Sequence, residues 1–228
     1  MNVYAVADLH GQLELWKQIQ NFLKEDDIIF VLGDCGDRGP QPWETIKAVA
    51  ADKRAKYIKG NHEDMLAKAM IEWFEMDSWD SDDTQLLYYN GGEDTYNGWH
   101  KDGASKRWIK FLKELPESAF YKNKNGIEIL MSHAGFTPGL RAPSNLLWDR
   151  THFNDKWSGK ENEVIIHGHT PTFHVWKELG SPKDNQPEKG EAFWYCDNHK
   201  ICIDVGSYVL DSAVVLDLDT FDEHIFTL

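Results

Sequence analysis

The sequence predicts an α/β protein whose sheet has a parallel centre and an antiparallel finish, and three observations carry that reading. Short apolar and β-branched runs recur at residues 3–7, 28–32, 57–58, 127–131, 164–166, 201–205, 213–218 and 224–227. Most are too short for helices and lack strict polar alternation, so they suit strands buried on both faces. Helix-periodic stretches separate the early runs, giving the strand-helix-strand-helix order of a parallel sheet. The last runs are joined instead by short polar turns.

After the first run, residues 13–23 place Leu13, Trp16, Ile19, Gln20 and Leu23 along one side of a helix. After the second, residues 42–50 open with Pro42, preorganised for a first helical turn, and continue with good helix formers. No strand is evident from Glu63 to Glu117: MLAKAMIEWFEM and SKRWIKFLKEL read as helices, with MDSWDSDDTQ and NGGEDTYNGWHKDG between and around them. This predicts a mostly helical insertion, about residues 64–117, on a single domain spanning 1–228. Its aromatic residues Trp73, Phe74, Trp79, Tyr88, Tyr89 and Trp99 predict either a small local core or a wall for a substrate, and the acidic run 77–83 a solvated loop. Near the C-terminus, residues 193–196 and 200–205 flank Asp197-Asn198-His199, and 213–218 and 224–227 flank Asp219-Thr220-Phe221-Asp222. Both pairs predict antiparallel hairpins.

A chain of 228 residues can bury one substantial core. Twenty-four basic against thirty-eight acidic side chains give a net charge of -14, so no overall positive field gathers nucleic acid or an anionic membrane. An anionic substrate must be drawn by a local cluster or by metal. No apolar run approaches the ~20 residues of a membrane span, and MNVYAVADLH lacks the start of a secretion signal. Cys35, Cys196 and Cys202 are too few for a disulfide framework and fit reduced thiols. The expected compartment is the cytoplasm.

The residues that follow the apolar runs carry the chemistry. Five runs end in Asp8-Leu9-His10-Gly11, Gly33-Asp34-Cys35-Gly36-Asp37-Arg38-Gly39, Gly60-Asn61-His62-Glu63, His133-Ala134-Gly135 and Gly168-His169-Thr170-Pro171. In an open α/β sheet, sites form beyond the carboxyl ends of the strands, so these ends converge. Asp8, His10, Asp34, Asn61, His133 and His169 offer two carboxylates, three imidazoles and an amide oxygen, a set suited to divalent Mn, Fe or Zn. Six ligands exceed one catalytic ion's needs, and two ions bridged by one carboxylate account for the surplus. One Asp-x-His alone would read as ordinary surface polarity, but five such ends in one chain do not.

At these residues the sequence resembles the calcineurin-type metallophosphoesterases, and within them the phosphoprotein-phosphatase branch in its bacterial and bacteriophage form. The resemblance rests on DLHG (8–11), GDCGDRG (33–39), GNHE (60–63), SHAG (132–135), LLWDR (146–150) and GHTP (168–171), and spans residue 3 to about 207. It implies a four-layer α/β/β/α sandwich with mixed sheets and a dinuclear centre, most simply of Mn. By motif, Asp8 and His10 hold the first ion, Asp34 bridges both, and Asn61, His133 and His169 complete the second. His62 matches the general acid oriented by Asp37, while Arg38 and Arg150 match the phosphate-binding arginines. The implied reaction is hydrolysis of a phosphate monoester by a metal-bridging hydroxide, without a covalent intermediate. Where the family usually has larger apolar residues this chain has Cys35 and Gly36, which predicts a looser loop. IDVGS (203–207) resembles a structural strand-to-turn feature.

The implied substrate is a phosphoserine or phosphothreonine protein or peptide. Symmetrical hydrolysis of a dinucleoside polyphosphate such as diadenosine tetraphosphate is the main rival, and a non-catalytic scaffold the lesser one, since it would be expected to lack some of these residues. A cysteine phosphatase built on Cys35 is disfavoured, because the arginine follows only three positions later and Asp34 and Asp37 would raise the thiol pKa. The remaining histidines, His100, His152, His174, His199 and His224, read as surface or packing residues, and His167 as a neighbour of the site.

Overall fold

The computed structural model describes residues 1–76, 82–136 and 143–228. Strands β1 (Val3–Val6), β2 (Ile28–Val31) and β3 (Ala55–Tyr57) run parallel, linked by helices α1 (Leu13–Phe22) and α2 (Pro42–Ala51). Helices α3 (Asn61–Met76), α4 (Asp82–Tyr89), α5 (Glu93–Lys101) and α6 (Lys106–Glu114) follow. The chain then forms β4 (Ser118–Lys122), β5 (Glu128–Ser132), α7 (Pro143–Trp148), β6 (Glu163–His167) and α8 (Thr172–Glu178). It closes with β7 (Phe193–Tyr195), β8 (Lys200–Cys202), α9 (Ser207–Leu210), β9 (Ser212–Asp217) and β10 (Glu223–Thr227).

The strands make two sheets, ordered β10-β9-β1-β2-β3 and β4-β5-β6-β8-β7. In the first sheet β1, β2 and β3 run parallel out to the β3 edge and antiparallel pairing is confined to the β9 side, whereas the second has a parallel centre, β5-β6-β8, with an antiparallel strand at each edge. The two hairpins expected from their turns, β7–β8 and β9–β10, are both present. Runs buried on both faces explain the missing alternation. Val3, Ala5 and Ala7 join a core shared with Ile129, Met131, Ile166 and Ile201 of the second sheet, while Tyr4 and Val6 pack among the residues of α1, α2 and the later helices. On the outer side of the second sheet, Cys202, Phe193 and Tyr195 pack with Val175 of α8. The layers are therefore helix, sheet, sheet, helix.

Three features escaped the pattern. The strand ends divide between two sheets, as the α/β/β/α sandwich implies but the apolar runs alone do not reveal. β4, with only partly buried or exposed residues, is an edge strand whose SAFYK lacks an apolar run. Helices α4 and α5 lie in stretches read as connections, because Gly91-Gly92 separates them and Gly98 looks like a breaker; a side chain at Gly98 would collide with Trp43 of α2. The aromatic residues of this region mostly pack inward: Trp99 is fully buried, and Trp73 and Tyr88 lie against the same core. Phe74 and Tyr89 remain exposed. Trp79 and residues 77–81 of the acidic run lie outside the described residues, whereas Asp82 and Asp83 open α4. Among the described residues no helix is long and apolar enough to cross a membrane.

Candidate metal centre and active site

The ends of β1, β2 and β3 meet those of β5 and β6. Asp34 Oδ2 lies 3.3 Å from His133 Nε2 and 3.7 Å from both His10 Nε2 and His62 Nε2. Asn61 Oδ1 is 2.8 Å from His133 Nε2 and 3.0 Å from His169 Nδ1, and these two imidazole nitrogens are 3.1 Å apart. Asp8 joins through Oδ2, which accepts the backbone N–H of His169 at 3.0 Å. All six expected ligands, with Asp37 and His62, are buried and brought together, His133 from the second sheet against Asp34 from the first.

The backbone is bent to achieve this. Asp8, His10, Asp34, Asp37, Arg38 and His169 all adopt left-handed φ values, between 40° and 69°, which cost energy for residues with a side chain. Close approach also demands glycine at position 168, where a side chain would collide with Asp8 Oδ2. The loop expected to be loose is instead pinned. Cys35 N–H donates to Glu63 Oε1 at 3.0 Å, its carbonyl accepts from Gly11, and Gly36 packs so closely on Ile46 that a larger residue would clash.

Asp37 and His62 form a pair, with His62 Nδ1 2.5 Å from Asp37 Oδ2. Burial lowers the His62 pKa, but Asp34 and the hydrogen-bonded Asp37 outweigh it and raise the value above that of free histidine. Thr95 of α5 holds Asp37 twice: its Oγ1 accepts the Asp37 N–H at 2.9 Å and donates to Asp37 Oδ1. Arg38 is bound to the same region, its N–H donating to Gly91 O at 3.0 Å. Its guanidinium donates to His10 Nε2 at 3.0 Å and His62 Nε2 at 2.9 Å and sits 5.0 Å from the centre of the Tyr208 ring. Arg150 donates from Nε to Thr170 Oγ1 at 3.1 Å. Burial, then repulsion by Arg38, lowers the Arg150 pKa; the two guanidinium groups share one opening, and among the described residues no carboxylate is hydrogen-bonded to either.

Sequence reasoning missed Glu63, Thr95 and Tyr208 as parts of this centre. Glu63 stands inside the GNHE motif and was in plain view. Thr95 carries no signal, because nothing local shows which helix residue will face Asp37. Tyr208 follows directly on IDVGS. Cys35 is fully buried, and burial followed by the charge of Glu63 pushes its thiol pKa well up, as an inert cysteine requires.

Residues 1–173 match the profile of the calcineurin-like phosphoesterases. The chain belongs to that family. Among solved structures of similar fold is a putative diadenosine tetraphosphatase, 15% identical with a TM-score of 0.65, the match covering 99% of this chain and 92% of that one. A metallophosphoesterase from Sphaerobacter thermophilus is 15% identical with a TM-score of 0.60, covering 100% and 88%. A protein serine/threonine phosphatase from Saccharomyces cerevisiae is 13% identical with a TM-score of 0.62, covering 100% and 80%. Among curated proteins none matches the sequence.

Calcineurin-like phosphoesterases use divalent metal ions, and the donor atoms here fit them. His10, Asp34 and His62 form one group able to surround a cation, and Asp34, His133 and His169 form another, with Asp34 common to both. Asp8 Oδ1 and His169 Nε2 are buried without a hydrogen-bond partner among the described residues. His10 donates from Nδ1 to Gly36 O at 3.0 Å, and His133 from Nδ1 to Leu32 O at 2.7 Å. Each bond turns Nε2 toward Asp34, the outer-shell arrangement of metal-binding histidines. In neutral His133 the Nε2 lone pair faces the amide oxygen of Asn61, a meeting of two acceptors that a shared cation resolves. The local field favours positive charge: burial lowers the His133 pKa, yet Asp34 and Asp8 push it up to about 10.

Proposed function

We propose that this calcineurin-like phosphoesterase is a metal-dependent phosphomonoesterase of the serine/threonine protein phosphatase type. The observation that carries the reading is the contact of one buried carboxylate, Asp34, with imidazoles from both sheets, beside the Asp37–His62 pair and two arginines. In this reading Asp8, His10 and Asp34 would hold one ion, with His62 kept as the proton donor rather than a ligand, and Asp34, Asn61, His133 and His169 would hold a second. Two such dications, Mn by preference with Fe or Zn as substitutes, supply a water-derived nucleophile near neutral pH and offset phosphate charge.

The chain's own residues do the rest. Arg38 and Arg150 present donor forks to the non-bridging phosphate oxygens and fix the phosphorus for in-line displacement. With Arg38 turned from His62 to the phosphate, His62 in its protonated form gives a proton from Nε2 to the leaving serine or threonine oxygen, while Asp37 holds Nδ1–H and stabilises the imidazolium. The buried floor keeps bulk water from Asp34 and the imidazoles. No side chain forms a bond to phosphorus.

The test uses protein loaded with Mn. Asp34→Asn is expected to abolish Mn binding measured by calorimetry, and His62→Asn to lower kcat by about 10²–10⁴; wild-type hydrolysis by either variant would overturn the mechanism. Symmetrical hydrolysis of a dinucleoside polyphosphate is the second reading, supported by a cavity beside the arginines, about 720 Å³, far roomier than one phosphate needs. Offering a phosphopeptide panel and diadenosine tetraphosphate side by side decides between them, preference for the dinucleotide overturning the first.

A further inference from the structure

We infer that the cavity beside the two arginines is a subsite for a second anionic group of the substrate, held by Lys177 and His174 of α8. The inference rests on the proposed phosphoesterase reading and names a feature its substrate must have. Arg38 and Arg150 open into this space, and its far wall carries His174 and Lys177, with Tyr208 at the side. Around it, a chain of net charge -14 is dominated by acids. The described lining reverses that balance, with the cationic side chains Arg38, Arg150 and Lys177 against one carboxylate, Glu178. Such a local reversal selects anions that the rest of the surface repels.

The sequence places these two side chains with care. His174 and Lys177 are three positions apart on α8 and so share a helix face. Between them Val175 is fully buried, and the Trp176 indole donates to Pro182 O at 3.1 Å, which anchors the opposite side of the helix. The helix begins directly after His169-Thr170-Pro171, and Thr172 N–H donates to Asp204 O at 2.7 Å. The wall bearing Lys177 is thereby tied to the strand end that supplies His169. Lys177 forms no salt bridge among the described residues, and both it and His174 are exposed toward the opening. Two arginines already suffice for the scissile phosphate, so Lys177, with the ring N–H of His174 beside it, has a second anion to meet. Tyr208 offers that portion of the substrate a flat, half-exposed face, held edge-on to His10 at 5.4 Å.

A second anion has two chemical sources: another phosphate in the same molecule, or the carboxylate of an acidic residue beside a phosphorylated one. The experiment compares Lys177→Glu and Lys177→Ala with wild type, all loaded with Mn. The substrates are p-nitrophenyl phosphate, diadenosine tetraphosphate, and a phosphopeptide with either Asp or Ala flanking the phosphoresidue. The quantity read is the ratio of kcat/KM for each two-anion substrate to that for the aryl phosphate. Lys177→Glu is expected to lower this ratio at least tenfold through a higher KM, and Lys177→Ala by a smaller factor in the same direction. Loss confined to the dinucleotide assigns the second anion to phosphate, and loss confined to the Asp-flanked peptide assigns it to carboxylate. Ratios within twofold of wild type for both would overturn the subsite. Calorimetric titration with tripolyphosphate separates the two readings. If wild type hydrolyses none of these esters the proposed activity fails, while a tenfold weaker tripolyphosphate affinity in Lys177→Glu still upholds the subsite and an unchanged affinity overturns it.

Discussion

Glu63 and Lys200 occupy comparable places in the two halves of the centre: each is fully buried behind the strand-end loops, and each helps to fix a loop that carries an expected ligand. Glu63 accepts the backbone N–H groups of Asp34 at 2.8 Å, Cys35 at 3.0 Å and Gly60 at 2.8 Å, and the Tyr57 hydroxyl at 2.8 Å. One carboxylate thus ties the loop after β2 to the loop after β3. Lys200 works at one remove, donating to His152 O at 2.5 Å, while His152 Nε2 donates to Ala134 O at 2.8 Å beside His133. His167 extends this half, accepting from Tyr195 OH at 2.8 Å. The first half is braced by an anion that gathers backbone donors. The second is braced by a lysine and imidazoles that burial drives toward their neutral forms. The lesson is that similar loop geometry does not imply a similar dependence on any one side chain.

The sharpest way to break that contrast is to remove each brace. Glu63→Ala leaves three backbone N–H groups and a phenol buried without their acceptor, at about 1–3 kcal/mol each. A loss of about 4 kcal/mol or more is expected in chemical denaturation, a large share of a typical domain's stability. Lys200→Met removes a buried cation that has no carboxylate bonded to it among the described residues and fills similar space, so relief of desolvation offsets the lost donor. Its stability should stay within about 1 kcal/mol of wild type. Equal losses in the two variants would show that the halves depend on their braces alike.

The next effect is a pH dependence that His152 contributes from the second half. Burial, then the charge of Lys200, lowers the His152 pKa to about 4. Unfolded histidine titrates near 6.5, so below that pH the unfolded chain binds the proton first and the native state loses stability as pH falls toward 4. Above about pH 7 the contribution vanishes, and at pH 5 it amounts to about 2 kcal/mol of destabilisation. Denaturation of wild type and His152→Gln at pH 7 and pH 5 isolates the residue. Wild type should lose about 2 kcal/mol more than the variant over that interval, and parallel losses would remove His152 from the account.

The same contrast explains what could be read from the chain. The site residues of the first half were legible because they lie in short motifs, Asp34 in one stretch and Asn61 and His62 in another, which the parallel order of β1, β2 and β3 brings together; the brace, Glu63, stands in the second of these stretches but its role was missed. His133 and His169 were legible as strand-end residues. Their support was not, since His152, Lys200 and Tyr195 come from segments with no common motif: Lys200 and Tyr195 meet through the pairing of β7 and β8, and His152 comes from the short turn Thr151–Asn154. β4 was invisible because an edge strand needs no apolar run. Periodicity placed five strand ends in one crevice without dividing them between sheets, because it reports that a strand is buried on both faces and not which neighbour covers it; the two sheets of the α/β/β/α sandwich came from the family resemblance and are present. Left-handed backbone at Asp8, Asp34 and His169 has no residue-type signal either, since these are positions where chemistry overrides the usual preference for glycine.

The smallest expected effect tests the most distant support of the first half, the one that comes from α5. Thr95→Val keeps size and branching but loses both hydrogen bonds to Asp37, leaving the Asp37 N–H without its acceptor and Oδ1 without its donor. Asp37 then holds His62 with one oxygen and a freer carboxylate. If Thr95 acts by positioning this pair, kcat should fall about tenfold, the lower range for losing an outer-shell partner. KM should change little, since Arg38 and Arg150 keep their own contacts. Thr95→Ser, which retains the hydroxyl, should restore most of kcat. A residue that merely packs would behave differently: Val would be tolerated and Ser, lacking the methyl group, would be the poorer replacement. The order of Val and Ser in kcat therefore separates positioning from packing, and it shows whether the region between β3 and β4 shapes the chemistry or only covers the sheet.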